Sequence, residues 1–381
     1  MNNNKYERLL SHVFVTKLAG FEHSKYIQHN ETKEKQREDD IPLVQGQNIK
    51  DGRFIEKYNY YIAKEISDIL YRSKLDKKCI LIPYVGSNLG EVGIFYHPYT
   101  CHMASNIAKI ELIDDYFNIE YLKYYLQSSI GQSYLFIDKQ GSAQPNITME
   151  SIRNTLILDK PKYEQLRIAK ILRLIDDKID NNNHINNNLE ELAYMIFLKK
   201  FTQKIPNGTI GDIIKENENS RIKVSDAKTV KGKYPFFTSG ESILEWNDYL
   251  VEGRNLFFNT GGNADVKYYV GKAMYSTDTW CVTTNGDFSD YLYLYFKSIR
   301  GELDRKFFHG SGLKHLQKDL LKQEKIYIPE KEEISQFNIL VKPMFDTISA
   351  NKIENQRLDS LKKFILPLLI NGQINVDDIE I

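Results

Sequence analysis

The sequence predicts an α+β fold built from two diverged copies of one unit, each a strand-rich region followed by a long helix. The prediction depends on a chain-length repeat, on strand-like runs ahead of each helical segment, and on the length itself. The chain has 381 residues, which allows two or three domains at roughly 100–200 residues each. We expect a mixed domain over 1–160, a helix over 161–204, a second mixed domain over 205–329, and a closing helix and tail over 330–381.

The repeat relates the two halves at a nearly constant offset. Glu333 lies 169 positions after Glu164, and the apolar residues and asparagines that follow match pairwise. The matched pairs are Leu172 and Val341, Ile175 and Met344, Ile179 and Ile348, Asn182 and Asn351, Asn186 and Asn355, and Leu189 and Leu358. Gly141–Ser142 and Gly310–Ser311 extend the match upstream, as do YLKYYL and YLYLYF. Helical periodicity alone would explain matched apolar positions but not matched asparagines. The match therefore indicates an internal repeat.

Each mixed domain is predicted from short aromatic or β-branched runs separated by Gly, Asn and Pro. The first domain contains CILIPYVG and VGIFYHP, and the second contains NLFFNTGG, VKYYVGKAMYS and EKIYIP. Such runs are typical of strands joined by tight turns.

Each long helix is predicted from a heptad pattern. In the first, apolar residues and asparagines recur at alternating steps of three and four from Leu172 to Ile196. The second repeats the pattern from Phe337 to Ile365, and we expect Pro343 and Pro367 to kink or shorten it. Helices of 35–38 residues would be about 50–57 Å long. Neither can bury its apolar stripe alone, so we expect them to pack together. Asn182 and Asn186 are interpreted as register-setting positions, whereas an AT-rich coding bias explains the flanking asparagines equally well.

The composition excludes several classes. Basic and acidic residues number 51 each, and no apolar run reaches the ~18 residues of a membrane span, so we expect a cytoplasmic protein without a membrane partner. Cys79, Cys101 and Cys281 form no C-x-x-C pair, which argues against disulfides, structural zinc or another metal site. A phosphate-binding loop, a nucleotide fingerprint and a serine-hydrolase elbow are missing, so we expect no catalytic residues. The acidic pair Asp176–Asp177 is interpreted as a solvated helix face.

Six loops instead combine small, amide, hydroxyl and basic residues, which hydrogen-bond base edges and phosphates. The first-domain loops span 45–53, 86–91 and 139–146, and the second-domain loops span 231–241, 253–267 and 309–317. Ordinary turns use the same residues, so one loop alone decides nothing. Their recurrence in both halves favours a binding surface. The predicted DNA-binding residues are Gln47, Asn48, Ser87, Asn88 and Gln144, with Lys233, Thr238, Ser239, Arg254, Asn263, Lys267, Lys314 and His315 in the second domain.

With these features, the chain resembles the specificity subunits of type I restriction–modification systems. The resemblance is carried by EQLRIAKILRLIDDKIDNNNHINNNLEELAYMIFLKKF in the centre, and by KGKYPFFTSGE, NTGGNADVKYYVGKAMYSTD and GSGLKHLQKDLLKQEKIYIP in the second half. It covers essentially the whole chain. The segment from His23 to Asp40 matches nothing assignable.

The resemblance implies two mixed α/β target-recognition domains joined by two long antiparallel coiled-coil helices, with a pseudo-twofold internal repeat. Each domain would read one half of a bipartite, asymmetric site in double-stranded DNA, and the helices would set the gap and dock two methyltransferase subunits. Such a subunit is not itself an enzyme. S-adenosylmethionine, ATP and magnesium would be used by the methyltransferase and motor/nuclease subunits.

Two alternatives remain open at this point. The chain could be a non-catalytic coiled-coil scaffold that recruits only protein partners, or the specificity subunit of a related two-protein nuclease–methylase system. Changes in DNA selectivity after loop mutations would separate the scaffold from both specificity subunits.

Overall fold

The computed structural model describes residues 6–137, 146–310, 312 and 314–380, and the chain forms two compact units. The first unit comprises Met1–Asp177 and Leu358–Ile381, and the second comprises Lys178–Arg357. Each unit therefore contains one mixed domain together with a part of both long helices.

The first unit begins with short strands and ends on the first long helix. Its strands are β1 Tyr6–Arg8, β2 Val13–Lys17, β3 Ile41–Val44, β4 Ile49–Lys50, β5 Arg53–Phe54, β6 Tyr61–Ile62, β7 Lys74–Leu75, β8 Cys79–Pro83, β9 Gly93–Phe95, β10 Cys101–Met103, β11 Ile107–Leu112 and β12 Leu156–Leu158. Its helices are α1 Gly20–Glu22, α2 Lys64–Ile69, α3 Ile119–Gln127, α4 Ser129–Leu135, α5 Met149–Arg153 and α6 Lys162–Phe201, the last of which continues into the second unit. A π-helical turn spans His23–Ile27.

The second unit repeats this order. Its strands are β13 Gly208–Thr209, β14 Ile214–Glu216, β15 Tyr234–Phe237, β16 Ile243–Trp246, β17 Arg254–Asn259, β18 Val266–Val270, β19 Met274–Tyr275, β20 Thr279–Thr284, β21 Phe308–His309, β22 His315–Leu316 and β23 Lys325–Ile326. Its helices are α7 Ile210–Ile213, α8 Val224–Ala227, α9 Ser289–Ser298, α10 Leu303–Phe307, α11 Lys318–Gln323 and α12 Lys331–Ile370, which returns into the first unit.

The sheets confirm the internal repeat. An antiparallel sheet has the order β2-β11-β8-β9 in the first unit and β14-β20-β17-β18 in the second. A second sheet contains a parallel pair in both units, β3 with β10 and β15 with β19. The helix that follows the sheet is attached in the same way, because the Tyr121 hydroxyl donates to the Leu158 carbonyl and the Tyr291 hydroxyl donates to the Tyr327 carbonyl.

Each unit has its own core, formed where its main sheet meets the long helices. In the first, Ile168 and Leu172 of α6 and Leu369 of α12 join the buried sheet residues. In the second, Phe197 of α6 and Val341 of α12 do so. Burial of these apolar faces stabilises helices that could not persist alone.

The two long helices run antiparallel within each unit, as predicted. In the second unit, Asn182 Nδ2 lies 2.9 Å from Asn355 Oδ1, and Asn351 Nδ2 lies 2.9 Å from Asn186 Oδ1. The residue numbers therefore rise along α6 as those of their partners on α12 fall. In the first unit, Asp176 of α6 contacts Lys362 of α12. Of the predicted seam residues, Leu172, Ile175, Ile179, Asn186, Val341, Ile348 and Asn355 are buried, while Leu189, Met344 and Leu358 are half-buried.

The structure contradicts two sequence-based expectations about the helices, that the prolines shorten α12 and that Asp176 lies on a solvated face. Pro343 and Pro367 do not shorten α12, which is continuous over 40 residues. Burial of Val341, Phe345 and Ile348 offsets the hydrogen bond that a helical proline removes. Asp176 does not lie on a solvated face, because it is only 5% exposed. Among the described helices, none combines the length and apolarity needed to cross a membrane.

Candidate nucleic-acid interface

The three predicted loops of the second unit meet at the carboxyl end of β17. The backbone amide of Thr260, directly after β17, donates to Ser239 Oγ at 3.1 Å, which joins the loop that follows β15. The Thr260 carbonyl accepts from the Leu316 amide at 3.0 Å, and the Gly262 amide donates to the Lys314 carbonyl at 3.2 Å. The structure therefore brings residues from 231–241, 253–267 and 309–317 into one cluster, which we call the second loop cluster.

The exposed side of the second loop cluster is an open concavity of about 510 Å³. It is lined by Gly262, Asn263, Ala264, Asp304, Gly312 and Lys314. Asn263 and Lys314 are exposed there, and the Lys314 ammonium forms an ion pair with Asp304. The neighbouring His315 is also exposed. Gly262 has a φ of +76°, which side chains other than glycine rarely adopt. This surface presents amide, imidazole and ammonium groups, which can donate to bases or phosphates.

Other predicted residues of this cluster support it from inside. Thr238 is buried, and Lys267 donates to Asn259 Oδ1 at 2.9 Å and to the Thr238 carbonyl at 3.0 Å. Asn259 in turn donates to the Asn263 carbonyl at 2.8 Å. Burial, aided by the nearby Arg300, lowers the pKa of Lys267. Thr238 and Lys267 thus hold the loops, and their polar groups are occupied within the protein.

Two predicted residues lie away from the second loop cluster. Lys233 is exposed just before β15, at the opposite end of that strand from Thr238. Arg254 begins β17, at the end opposite the cluster, and its guanidinium pairs with Asp290 and Asp346. Burial is the largest single influence and acts to lower the pKa of Arg254, but Asp290, Tyr268 and Asp346 together outweigh it and raise the pKa.

The first unit builds the same junction with equivalent backbone hydrogen bonds. The Tyr84 amide donates to the Asn106 carbonyl at 3.1 Å, and the Tyr84 carbonyl accepts from the Ile147 amide at 3.1 Å. In the second unit, Thr260 makes the corresponding bonds with Asp278 and Leu316, at 3.4 and 3.0 Å. Ile147 and Leu316 are 169 positions apart, the offset of the repeat. The backbone junction is therefore present in both units.

The predicted residues of the first unit divide into exposed and buried sets. Gln47 and Ser87 are exposed. Asn48 is buried, and its amide donates to the carbonyls of Ile55 and Lys57, both at 2.8 Å. Asn88 is half-buried and donates to the carbonyls of Gly46 and Ile49, at 3.1 and 2.9 Å. Gln144 lies outside the described residues.

Sequence reasoning missed Tyr84 and Thr260, the central residues of the two junctions. Tyr84 also lies beneath the Lys17 ammonium, which is 5.2 Å from the ring centroid. The available signal was positional, because both residues directly follow a strand that is almost entirely buried. In the described part of the chain, no group of three or more His, Cys, Asp and Glu residues is placed to hold a metal ion.

Comparison with known proteins identifies the family. The model of the type I restriction modification DNA specificity domain matches the chain twice, over residues 18–191 and 204–363. The chain belongs to this family. Two members from Methanocaldococcus jannaschii are similar along most of their length. The type I restriction enzyme MjaIX specificity subunit is 21% identical over 302 residues, covering 68% of this chain and 70% of the relative. The MjaVIII specificity subunit is 23% identical over 390 residues, covering 89% and 87%.

A solved structure of the specificity family shares the fold. The S subunit of a type I restriction–modification system from M. genitalium covers 97% of both chains, with a TM-score of 0.57 and 15% identity. The two matches of the family model also agree with the two backbone junctions, because each match contains one junction.

Proposed function

We propose that this chain is the DNA sequence-specificity subunit of a type I restriction–modification complex and has no catalytic activity of its own. The observation that carries the proposal is the duplicated junction at Tyr84 and Thr260, in a chain that the family model matches twice. Two similar but not identical surfaces suit a bipartite, asymmetric target. The first recognition domain, 1–160, reads one half of the site, and the second, 205–329, reads the other.

The long helices, assigned to 161–204 and 330–381, set the gap and dock two methyltransferase subunits. Half-sites one duplex turn apart are about 34–36 Å between centres. Several apolar side chains on these helices are exposed, as a docking face requires. They are Leu166, Leu174, Leu192, Met195, Ile339, Leu340, Leu361 and Phe364.

The chemistry belongs to the partner subunits in the cytoplasm. S-adenosylmethionine serves the methyltransferases, which flip adenine out of the duplex, and ATP and magnesium serve the motor/nuclease subunits. The specificity subunit contributes register and orientation through phosphate contacts and selectivity through base contacts.

Genome-wide mapping of methylated adenines after co-expression with the neighbouring methyltransferase gene tests the proposal. We expect a single bipartite motif. Replacing 205–329 with another recognition domain should change one half of that motif and leave the other unaltered. A change in both halves, or in neither, contradicts the modular assignment. The purified chain alone should neither methylate DNA nor hydrolyse DNA or ATP.

The scaffold alternative makes the opposite prediction. If the helices only recruit a partner, loop variants such as Asn263→Ala leave DNA selectivity unchanged. The exposed polar concavity at Gly262–Ala264 and Lys314 favours the DNA-binding function over the scaffold.

A further inference from the structure

Arg254 links the main sheet of the second unit to α12. Its Nη1 lies 2.7 Å from Asp290 Oδ1, and its Nη2 pairs with Asp346 and donates to the Lys342 carbonyl at 3.3 Å. Asp290 is 1% exposed and also accepts from the Tyr268 hydroxyl at 2.5 Å. One guanidinium therefore joins the start of β17, the start of α9 and one face of α12.

The same face of α12 makes further bonds to the segment leading into α9. Asn338, Lys342 and Asp346 are spaced by four residues, which aligns them along the helix. Asn338 Nδ2 donates to the Asp287 carbonyl at 2.7 Å, and Lys342 Nζ lies 2.7 Å from Asp287 Oδ1. Arg254 thus fixes the start of β17 on α12, and Asn338 and Lys342 fix the adjoining start of α9 on the same helix face.

The repeat places a different arrangement at the equivalent position of the first unit. Asp177 lies 169 positions before Asp346, but it pairs at 3.6 Å with Arg173 of its own helix. Glu120, the counterpart of Asp290, pairs with Lys78 at 2.9 Å and with Arg173 at 3.5 Å. Asp177 therefore offers a matched control: the same residue type at the same repeat position, without an ion pair to the recognition strand.

We propose that Arg254 and Asp346 are positioning residues that hold β17 at one place on α12, and so fix the gap length that the complex accepts between the two DNA half-sites. The inference rests on the proposed function and deepens it. The second loop cluster lies at the far end of β17, so a strand that shifts on the helix moves the base-reading surface along the DNA. Arg254 itself does not read bases.

The test compares Asp346→Asn with Asp177→Asn in the full chain, assembled with its methyltransferase subunits. The probes are duplexes that carry the wild-type motif with its gap unchanged, lengthened or shortened by one base pair. For Asp346→Asn, we expect the discrimination against wrong gaps to fall by about twofold to fivefold, the value of one partly exposed ion pair. Base preference within each half-site should remain that of the wild type, and Asp177→Asn should leave gap discrimination unchanged.

Arg254→Lys provides a second variant, because lysine keeps the charge beside Asp290 but lacks the planar fork that reaches both carboxylates. It should relax gap discrimination in the same direction. Altered base preference in Arg254→Lys would overturn the inference in favour of base reading. Reduced thermal stability of Asp346→Asn with unchanged gap discrimination would overturn it in favour of a purely structural role. A wild-type complex that recognises no bipartite motif would instead refute the proposed function, and the inference with it.

Discussion

Replacing Asp176 by asparagine should destabilise the first unit far more than its position on a polar helix suggests. Asp176 Oδ2 lies 2.9 Å from Lys123 Nζ and 2.8 Å from the Tyr124 hydroxyl, both on α3. Its Oδ1 lies 2.6 Å from Lys362 Nζ on α12 and 3.5 Å from Arg53 Nη2. The change removes the carboxylate that three cations share and leaves those cations in place.

The magnitude follows from burial. Asp176 is 5% exposed and Lys123 is 8% exposed, so water cannot replace the lost carboxylate. Removing one partner of a buried ion pair typically costs about 3–5 kcal/mol. Burial already lowers the pKa of Lys123 despite its anionic partner. We therefore expect Asp176→Asn to lower the free energy of unfolding by about 3–5 kcal/mol.

Asp177→Asn is the control on the next residue. Its side chain is 62% exposed and pairs within the helix, so its loss should cost less than about 0.5 kcal/mol. Urea unfolding followed by far-ultraviolet circular dichroism measures both variants, and hydrogen exchange of peptides covering α3 localises the effect. Trp246 and Trp280, the two tryptophans of the chain, lie in the second unit, so their fluorescence gives a comparison from that unit. Equal midpoints for the two variants would refute the reasoning.

The same cluster predicts a pH dependence. Burial acts to raise the pKa of Asp176, but Lys123 and Lys362 outweigh it and hold the pKa below its ordinary value. Such a carboxyl stabilises the fold above its unfolded pKa of about 3.9, and the stabilisation disappears as the pH falls through the folded value. Wild-type stability should therefore fall more steeply than that of Asp176→Asn below about pH 4. Parallel curves would contradict the ionic assignment.

Three further predictions concern the helix pair and the second loop cluster. Ile175→Lys buries an unpaired charge and should lower the free energy of unfolding by about 2–5 kcal/mol. An unchanged thermal midpoint and intact methyltransferase binding would show that the predicted helix–helix seam is misplaced. Asn182→Leu should lower the free energy of unfolding by about 1–3 kcal/mol, because the buried Asn355 Oδ1 loses the hydrogen bond that it accepts from Asn182. The double change Asn182→Leu/Asn355→Leu should recover part of that loss in the same urea assay. In DNA-binding assays, Asn263→Ala should weaken the binding free energy by about 1–3 kcal/mol, and the loss should depend on the DNA sequence. Lys314→Gln should weaken binding to all DNA sequences alike and reduce the dependence of log affinity on log salt concentration by about 0.9.

The architecture was predictable because periodicity and repetition report directly on burial. A residue such as Ile179 recurs at heptad spacing only when one helix face packs throughout its length, and its repeat partner Ile348 is buried as well. The asparagines also predicted how the two long helices are aligned, because a polar residue on an apolar stripe needs a polar partner. Asn182 and Asn186 are polar residues on an apolar stripe, and each bonds to an asparagine of the other helix.

The site was predictable only as a set of loops. Asn, Thr, Lys and Arg have the same donors whether they face DNA or cap a neighbouring loop, and sequence does not show which neighbour arrives in three dimensions. Asn48 and Lys267 are therefore occupied within the protein, although their types suit DNA binding. Asp176 was misinterpreted because its partners Lys123 and Arg53 are distant in sequence.

The repeat also predicts that the two recognition domains differ in how readily they can be exchanged. Position 176 in the first helix corresponds to Phe345 in the second, which packs against Tyr268 and Tyr293 with ring centroids 5.1 and 5.6 Å apart.

Replacing 205–329 leaves Phe345 behind on α12, where any large apolar surface can cover it. It also leaves Asp346, whose side chain is already 57% exposed. Replacing 1–160 instead leaves Asp176 buried without Lys123, Tyr124 or Arg53. Lys362 of α12 then remains as an ion-pair partner of Asp176, but the contacts from α3 are lost. A first-domain exchange should therefore lower the yield and the thermal midpoint unless the incoming domain supplies a cation at the place of Lys123. Equal yields and thermal midpoints for both exchanges, with a first-domain donor that lacks this cation and with Asp176 unchanged in α6, would contradict the predicted asymmetry.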